Sequence, residues 1–324
     1  MEQLHIFTAH DSTHSEPPSY LFPITPRNAG FMLIQYQPGW RTALMKKVLG
    51  CEKVLHPRLF RLLLGMTWPL ARNAAGRMPV NYGKLPLQYN LQDPAERQGW
   101  LGIYDPPLTQ LLQKFCLPGM TMIDVGANIG IVSSSVADQL GETGFILLVE
   151  PNPSLAKRLR EFAENNPLKN MHVAELAVDV KTGTLPFYVS SAHTYSTLVK
   201  AQLPDYPLDS VVNVSVVRLA DVIARVPADR HIHVLKLDAE GVDLNVMLDV
   251  LPTIAEKQID LLIVEAFGKQ VDEVIQKYQT IGYSPWAIEE STRQLRPWGT
   301  VPAANCNLVL TLRNDLTQPL TGLS

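Results

Sequence analysis

Cysteine is scarce in this sequence, and aromatic and charged residues make up only 7% and 18% of it. The 324 residues include three cysteines, and Cys51, Cys116 and Cys306 lie far apart. An odd and scattered set predicts neither a disulfide framework nor a Cys-x-x-Cys metal site. It indicates a reducing compartment, and we therefore expect a cytoplasmic protein.

No stretch of the sequence predicts a signal peptide or a membrane span. Residues 1–19 are polar, and the longest apolar stretch, Leu59–Ala71, is interrupted by Arg61 and Pro69. A spanning helix needs about 20 apolar residues. The net charge of −3 argues against a nucleic-acid-binding protein, and the 46% of hydrophobic residues excludes a disordered chain.

A basic segment lies in the amino-terminal third. Residues 41–77 contain eight Lys and Arg against Glu52, a net charge of +7. Leucines at helical spacing predict short amphipathic helices that break at Gly50 and Pro57. We interpret residues 1–90 as a helical N-terminal extension that caps a substrate site, after a lead-in with little periodicity. The alternative is that the basic segment makes peripheral contact with an anionic membrane.

From about residue 91 to residue 324, apolar strands alternate with amphipathic helices, which predicts a mostly parallel sheet covered on both faces. The fold class is α/β, a doubly wound, Rossmann-like sheet. The last two strands have no helix between them, so we expect an antiparallel hairpin at the sheet edge. Two extra strands, 185–189 and 211–217, are expected to insert into the core. The predicted strands of the main sheet are 120–125, 145–149, 172–178, 232–237, 261–264, 286–288 and 308–312.

The most specific pattern is a glycine loop, Asp124-Val-Gly-Ala-Asn-Ile-Gly130, that follows the first strand of the sheet. Glycines let a ligand approach the backbone, and Glu150, which ends the next strand, can accept hydrogen bonds from ribose hydroxyls. Dinucleotide binders and S-adenosylmethionine binders share this geometry. Asn128 stands where the dinucleotide fingerprint requires its second glycine, and its side chain would crowd a pyrophosphate. The pattern therefore favours S-adenosylmethionine, with a nicotinamide cofactor as the alternative.

With these residues, the sequence resembles the FkbM-type S-adenosylmethionine-dependent methyltransferases. The matching segments are Ile123–Gly130, Val149–Pro153 and Leu235–Gly241, and the last contains a Lys-x-Asp-x-Glu-Gly motif. The similarity extends from about Gln98 to Leu312. The resemblance implies a class I methyltransferase fold and the O-methylation of natural products or sugars.

The resemblance also implies which residues bind the cofactor. The glycine loop would surround the methionine part, and Glu150 would hold the ribose. Pro151 and Asn152 would flank the adenine edge, and the end of the third strand, up to Asp179, would lie by the adenine ring. The predicted set is Asp124, Gly126, Ala127, Asn128, Gly130, Glu150, Pro151, Asn152, Ala177 and Asp179.

Candidate catalytic residues surround the end of a later strand. Lys236, Asp238 and Glu240 alternate, so all three face one side if the chain is extended. Two acids beside a lysine favour a raised pKa for one carboxylate, and Asp238 would face the reacting centre. The alternative is that Lys236 and Glu240 form a structural ion pair. His193, in a polar loop, is a further candidate base or else a solvated loop residue.

A metal is not predicted. His231 and His233 alternate on a strand, but no third ligand lies at usable spacing, so we expect one to be exposed and the other packed. The sequence thus predicts an S-adenosylmethionine-dependent O-methyltransferase for a hydroxylated small molecule, natural product, sugar or glycolipid, with no nucleic-acid partner. The alternatives are a nicotinamide-dependent oxidoreductase and a non-catalytic binding module that retains the fold.

Overall fold

The structure, a computed structural model, describes residues 76–79, 86–89, 96, 99, 104–190, 196–199, 208–266, 270–289, 294–300 and 306–313. All of them belong to one unit of the chain, residues 33–324. The helices predicted in the basic segment up to residue 75, the lead-in over residues 1–40 and the candidate base His193 lie outside the described residues.

The described helices follow the predicted amphipathic segments. The longest, Asp243–Lys257, has 15 residues, and no described helix combines the length and apolarity needed to cross a bilayer. The helices are α1 Pro106–Phe115, α2 Ile131–Leu140, α3 Pro153–Asn165, α4 Leu219–Ile223, α5 Asp243–Lys257 and α6 Val271–Thr280. The strands are β1 Gly76–Pro79, β2 Pro86–Tyr89, β3 Thr121–Val125, β4 Phe145–Val149, β5 Met171–Ala174, β6 Ala177–Val178, β7 Gly183–Ser190, β8 Leu208–Val217, β9 Val234–Leu237, β10 Leu261–Ala266, β11 Ser284–Glu289, β12 Gln294–Pro297 and β13 Cys306–Thr311.

Eight strands form the main sheet, in the order β12-β11-β13-β10-β9-β3-β4-β5. The five strands from β10 to β5 are parallel, and β13, β11 and β12 are antiparallel. The chain runs outward from β3 through β4 to β5, then returns to β9 on the other side of β3. The predicted doubly wound sheet is therefore confirmed, and its strand order switches between β3 and β9.

The predicted hairpin at the carboxyl end is antiparallel, as expected, but it is not the edge of the sheet. β13 lies between β10 and β11, and the edge strand is β12, which the sequence does not predict. β12 escapes prediction because it has four residues, ends in Pro297 and buries only Leu295 fully among its described side chains.

The predicted third strand, 172–178, divides into two strands. β5 ends at Ala174, and β6 pairs with β8 in a separate three-stranded sheet, β6-β8-β7. The expected insertion of two extra strands into the core is therefore wrong. These strands bury a small apolar cluster of their own, which consists of Ala177, Phe187, Val214 and Val216.

The extension over residues 1–90 is not wholly helical, because β1 and β2 form an antiparallel hairpin within it. Its described strands are four residues long and contain Pro79 and Pro86 at the turn end of the hairpin. Short strands with prolines give no alternating pattern that a sequence reading could detect.

The main sheet buries a different apolar cluster on each face. The first cluster contains residues of α1, α2 and α3, and the second contains residues of α4, α5 and α6. Along β3, Met122 belongs to the first cluster and Ile123 to the second, as the alternation of a strand requires. Asp124 and Lys236 therefore point toward the helices of the first face, although both are almost fully buried.

Asn170 provides a test of this packing. Its buried side-chain amide donates to the carbonyls of Ala137 (2.9 Å) and Gly141 (2.8 Å), where α2 ends beside the start of β5. We expect Asn170→Ala to lower the free energy of unfolding by about 2 kcal/mol, because the buried Asn166 amide loses its acceptor and each of the two carbonyls loses one of two donors. Asn165→Ala, at an exposed site, should change it by less than about 0.5 kcal/mol. Equal urea unfolding curves for the two variants would contradict this account.

Candidate functional site

The carboxyl ends of four neighbouring strands define the site. In the register of the sheet, Val125 is level with Val149 and Leu237, and Leu237 is level with Val264. Adjacent strands lie about 4.8 Å apart, so the residues that follow form one line at the point where the strand order switches. Ligands of doubly wound sheets bind at this point. Across the sheet, the line is Glu150, Gly126, Asp238 and Glu265.

The glycine loop passes directly against the end of β9. Gly126 has φ +72°, and a Cβ atom added to it would lie 1.8 Å from the carbonyl oxygen of Asp238. The backbone N–H groups of Gly126 and Ala127 both donate to the carbonyl of Val149. No other residue fits at position 126, because any side chain would collide with backbone. Glycine at this position therefore allows the loop to pack against the backbone of Asp238.

Glu150 is held in a fixed direction by the backbone. Its carboxylate is 5% exposed and accepts hydrogen bonds from the N–H groups of Asn128 (2.8 Å) and Asn152 (2.9 Å). Asn152 also accepts from the N–H of Ser154 and so caps α3. The predicted pair of Glu150 and Asn152 thus lies together at the end of β4, with Pro151 between them.

A small cleft opens beside the loop. Two buried oxygens in its wall, Asp124 Oδ1 and Asn128 Oδ1, accept no hydrogen bond from the described residues, although Asp124 Oδ1 forms an ion pair with Lys236. Buried acceptors without a donor are rare in folded proteins, so the cleft suits a ligand that carries N–H donors or a positive charge. Its lining residues are Tyr104, Asp124, Gly126, Ala127, Asn128, Ile129, Ile131, Val132 and Lys236.

Lys236 joins the cleft to the end of β9. Its Nζ lies 3.0 Å from Asp238 Oδ2 and 3.4 Å from Asp124 Oδ1, and the other oxygen of Asp124 accepts from Ser133 Oγ at 2.6 Å. Burial alone would lower the pKa of Lys236, but Asp238 and Asp124 outweigh it and raise that pKa above its usual value. Lys236 therefore stays charged. Among the described side chains it pairs with two aspartates, so the alternative pairing with Glu240 is wrong.

Three carboxylates meet at the end of β9. Single oxygens of Asp238, Glu240 and Glu265 all lie within 4.8 Å of one another. Glu240 reaches this position from a left-handed backbone (φ 50°) rather than from an extended one. Glu265, on the neighbouring strand, was not predicted as a site residue. The register of the sheet indicates Glu265, because this residue is level with Asp238. Acids alone do not make a metal site, and we assign no metal to this cluster.

Burial and mutual repulsion raise the pKa values of this cluster. Burial, then Asp238 and Asp243, raise the pKa of Glu240 to about 8. Burial, then Asp238 and Glu240, raise the pKa of Glu265 to about 10, and Lys236 only partly opposes this. The predicted raised pKa beside Lys236 is therefore present at two glutamates.

Asp243 supports the loop that carries Glu240. It is 4% exposed and accepts hydrogen bonds from the N–H groups of Ala239 (2.6 Å) and Gly241 (3.0 Å). Burial and Asp238 raise the pKa of Asp243 to about 6, although these backbone donors lower it. Thr197 Oγ1 donates to the carbonyl of Glu240 at 2.8 Å and holds the same loop from the other side. Neither residue had been predicted from the sequence.

Tyr104 is a further cleft residue that sequence reasoning missed. It lies just before the residue that caps α1, and its ring packs partly buried against the first apolar cluster. Burial, and next the charge of Asp238, raise the pKa of Tyr104. No motif surrounds this residue. Its place in the cleft follows from the packing of α1 on the sheet.

Ala177 lies in β6 of the three-stranded sheet and Asp179 directly follows that strand, so neither lies at the end of a main-sheet strand as predicted. Asp179 donates its N–H to the carbonyl of Val217 and accepts from the N–H of Val180 at 2.6 Å. The reason is that the main-sheet strand has already ended at Ala174. Their place beside the adenine ring stays a prediction, but it no longer follows from their being at the end of a main-sheet strand.

The two alternating histidines lie just before β9, at the opposite end of that strand from Asp238. His231 is exposed and His233 half-buried, as predicted, but a third group does lie near, because Asp260 Oδ1 is 3.0 Å from His231 Nε2. Nδ1 of His233 accepts the N–H of Thr121 at 3.1 Å, which leaves the proton of the neutral ring on Nε2. Neither nitrogen of His233 then has a lone pair to offer, and we assign no metal here.

Comparison with known proteins agrees with this site. The sequence matches the family described as the methyltransferase FkbM domain over residues 124–285, which is 162 of its 324 residues. No curated protein matches the sequence. The family match covers the glycine loop, Glu150, the Lys-x-Asp-x-Glu-Gly motif and Glu265.

Solved structures show a distant similarity to this chain. An FkbM methyltransferase from Methylobacillus flagellatus KT is 14% identical, with 78% of this chain and 60% of that chain covered and a TM-score of 0.40. An S-adenosylmethionine-dependent O-methyltransferase from Thermotoga maritima is 13% identical, with 62% of each chain covered and a TM-score of 0.33. Fibrillarin from Aeropyrum pernix, in complex with S-adenosyl-L-methionine, is 13% identical, with 63% of this chain and 72% of that chain covered and a TM-score of 0.36.

The family match spans half of the chain, and the doubly wound sheet carries the matched motifs at its strand ends. The chain therefore belongs to the FkbM methyltransferase family.

Proposed function

We propose that this chain is an enzyme that transfers the methyl group of S-adenosylmethionine to a hydroxyl of a small molecule, such as a natural product, a sugar or a glycolipid. The observation that carries the proposal is the meeting of Asp238, Glu240 and Glu265 directly beside the glycine loop. A hydroxyl must lose its proton when it is methylated, and carboxylates of raised pKa are suitable acceptors. A cytoplasmic location fits the scarcity of cysteine.

The residues of the glycine loop and the end of β4 form the proposed cofactor side. Asn128 Oδ1, which accepts no hydrogen bond from the described residues, and the carboxylate of Asp124 are proposed to accept from the ammonium group of the methionine part. Glu150 is proposed to accept from the ribose hydroxyls, since the backbone already fixes its carboxylate. Gly126 and Gly130 leave the backbone accessible, and Pro151 and Asn152 border the adenine side.

The end of β9 forms the proposed reacting side. When bound, S-adenosylmethionine supplies an activated methyl group, so the protein's main task is to orient the acceptor. Asp238, held by Lys236, is placed to accept a hydrogen bond from the acceptor hydroxyl. Lys236 acts as a positioning residue, because it stays charged and buried. Glu240 and Glu265 each bring a carboxylate oxygen within 4.8 Å of Asp238 and are the candidates to take up the proton that leaves.

A panel of acceptors tests the proposal. Release of S-adenosylhomocysteine should be measured with hydroxylated, amine and thiol compounds, and the methylated atom should be identified by mass spectrometry and NMR. We expect turnover with hydroxylated acceptors. Methylation on nitrogen or sulfur alone would refute O-methylation. Cofactor binding without turnover on any acceptor would favour the non-catalytic binding module.

Asp238→Asn keeps the shape of the side chain but removes its charge. With an acceptor from the panel, we expect turnover to fall by about 100-fold or more, because the hydroxyl loses its charged acceptor. Affinity for S-adenosylhomocysteine should fall by less than about tenfold, or about 1.4 kcal/mol. Normal turnover in this variant would show that the reacting side lies elsewhere.

Glu150→Ala should lower the affinity for S-adenosylmethionine and S-adenosylhomocysteine by about 10- to 100-fold, because hydrogen bonds to a charged group contribute about 1.5–3 kcal/mol. Calorimetry measures both affinities. Glu142→Ala, in an exposed loop after α2, is the matched control and should bind like the wild type.

A ligand pair separates a ribose contact from general damage to the loop. Adenosine and 2′,3′-dideoxyadenosine differ in the ribose hydroxyls alone. The Glu150→Ala substitution should weaken the binding of adenosine and leave that of the dideoxy compound nearly unchanged. An equal loss for both compounds would mean that Glu150 shapes the loop rather than contacting the ribose.

Gly126→Ala and Gly141→Ala form a matched pair of substitutions. Both glycines have similar positive φ angles, +72° and +69°, but a Cβ atom at 141 meets nothing within 4 Å. We expect Gly141→Ala to lose about 1 kcal/mol of stability through backbone strain and to keep its cofactor affinity. Gly126→Ala should lower that affinity at least about tenfold, because the loop must move away from β9. Equal cofactor affinities would contradict the proposed close approach.

A further inference from the structure

The reacting side of the site holds more acid than base. Asp238, Glu240, Glu265 and Asp243 act on one another electrostatically. Asp124 lies further inside the sheet, opposite Lys236. Within the described part of the chain, Lys236 is the basic residue that acts on Glu265 and Glu240. Lys236 is already engaged by two aspartates. The glutamates therefore lack a partner cation of their own in the described residues.

Geometry distinguishes Glu265 from the other acids of the cluster. Asp238 is held by Lys236 at 3.0 Å, and Asp243 by two backbone N–H groups. Glu265 comes from a different strand, on the same face of the sheet as Lys236, and is level with Asn307 of β13 on its other side. It therefore borders the cluster on the side away from the glycine loop.

A positive ligand would change the protonation of these groups. Two carboxyl groups within 4.8 Å of each other in a largely buried site cannot both ionise easily. S-adenosylmethionine carries a sulfonium charge that S-adenosylhomocysteine lacks. A cation near Glu240 and Glu265 would favour their ionised forms, and the same groups would stay protonated beside the neutral product.

We propose that Glu265, together with Glu240, holds a proton that leaves when S-adenosylmethionine binds, and that the Glu265 carboxylate so formed is the catalytic base. The O–H bond of the acceptor breaks and its proton moves to Glu265. The new O–CH₃ bond forms as the electron pair of the S–CH₃ bond returns to sulfur. The role of Glu265 as base rests on the proposed O-methylation, whereas the proton release rests on the family's cofactor alone.

The proton release is measured by calorimetry at one pH in two buffers with different ionisation enthalpies, with the full-length protein, EDTA, S-adenosylmethionine and S-adenosylhomocysteine. The wild type should release about one proton more with S-adenosylmethionine than with S-adenosylhomocysteine. Glu265→Gln should remove most of this difference, and Glu142→Gln should keep it. Equal proton counts for the two ligands in the wild type would overturn the proposal. Failure of both ligands to bind would instead refute the site itself.

The pH dependence of the wild type gives a second test that needs no variant. As pH rises from 6 to 9, Glu240 and Glu265 ionise more easily, while Asp238, Asp243 and Lys236 form the surrounding charges. The affinity for S-adenosylmethionine should therefore rise relative to that for S-adenosylhomocysteine, by up to about tenfold per pH unit for one linked proton. A ratio that stays constant over this range would overturn the proposal.

The role as base is tested separately with an acceptor from the panel. Glu265→Gln should lower kcat by about 100-fold or more and change the KM for S-adenosylmethionine far less. Glu142→Gln should retain wild-type kcat. A Glu265→Gln enzyme with at least half of the wild-type kcat would exclude the base role, even if the proton release is observed.

The protonation of Glu265 also predicts how the free energy of unfolding of the ligand-free protein depends on pH. Because burial raises the pKa of Glu265 from its usual 4.5 to about 10, the folded state holds a proton that the unfolded state has lost over this range. The free energy of unfolding should therefore fall as pH rises between these two values. Glu265→Gln should make this fall with pH less steep. Equal slopes in urea titrations from pH 6 to 9 would contradict the assignment to Glu265.

Discussion

The buried ion pairs of Lys236 are the interaction on which the reacting side of the site depends. Lys236 lies opposite Asp124 in the ladder between β3 and β9, where the strand order switches, and contacts Asp238 two residues further on. One cation thus fixes the carboxylate beside the cleft and the carboxylate at the strand end. Loss of this lysine would leave Asp124 buried and Asp238 half-buried without a counter-charge, and an uncompensated buried charge is strongly destabilising in protein interiors.

The line of strand ends divides the site by chemistry. Toward β4, Glu150 and the glycine loop offer backbone groups and one fixed carboxylate, which suits a polar ligand that must be held in place. Toward β10, Asp238 and Glu265 crowd acids together with little counter-charge, which suits proton transfer. Gly126 lies between the halves and brings them into contact, since its missing side chain lets the loop touch the backbone of Asp238.

Local motifs predict that the glycine loop and Glu150 meet, and they predict two of the three acids at the end of β9. The glycine loop and Glu150 follow from residues that are adjacent in sequence or end consecutive strands, so their meeting is a property of the fold class. Glu265 and Tyr104 join the site through register and helix packing, which a single sequence does not specify. The second sheet was missed because its strands are apolar enough to resemble core strands, although β7 and β8 pair with each other and not with the main sheet.

A crystal structure with S-adenosylhomocysteine tests the division of the site most directly. The account predicts the ribose hydroxyls within hydrogen-bond distance of Glu150, the methionine ammonium near Asp124 and Asn128, and the sulfur on the side of Gly126 that faces Asp238. A ligand bound the other way round, with its ribose beside Asp238 and Glu265 and its sulfur beside Glu150, would contradict it.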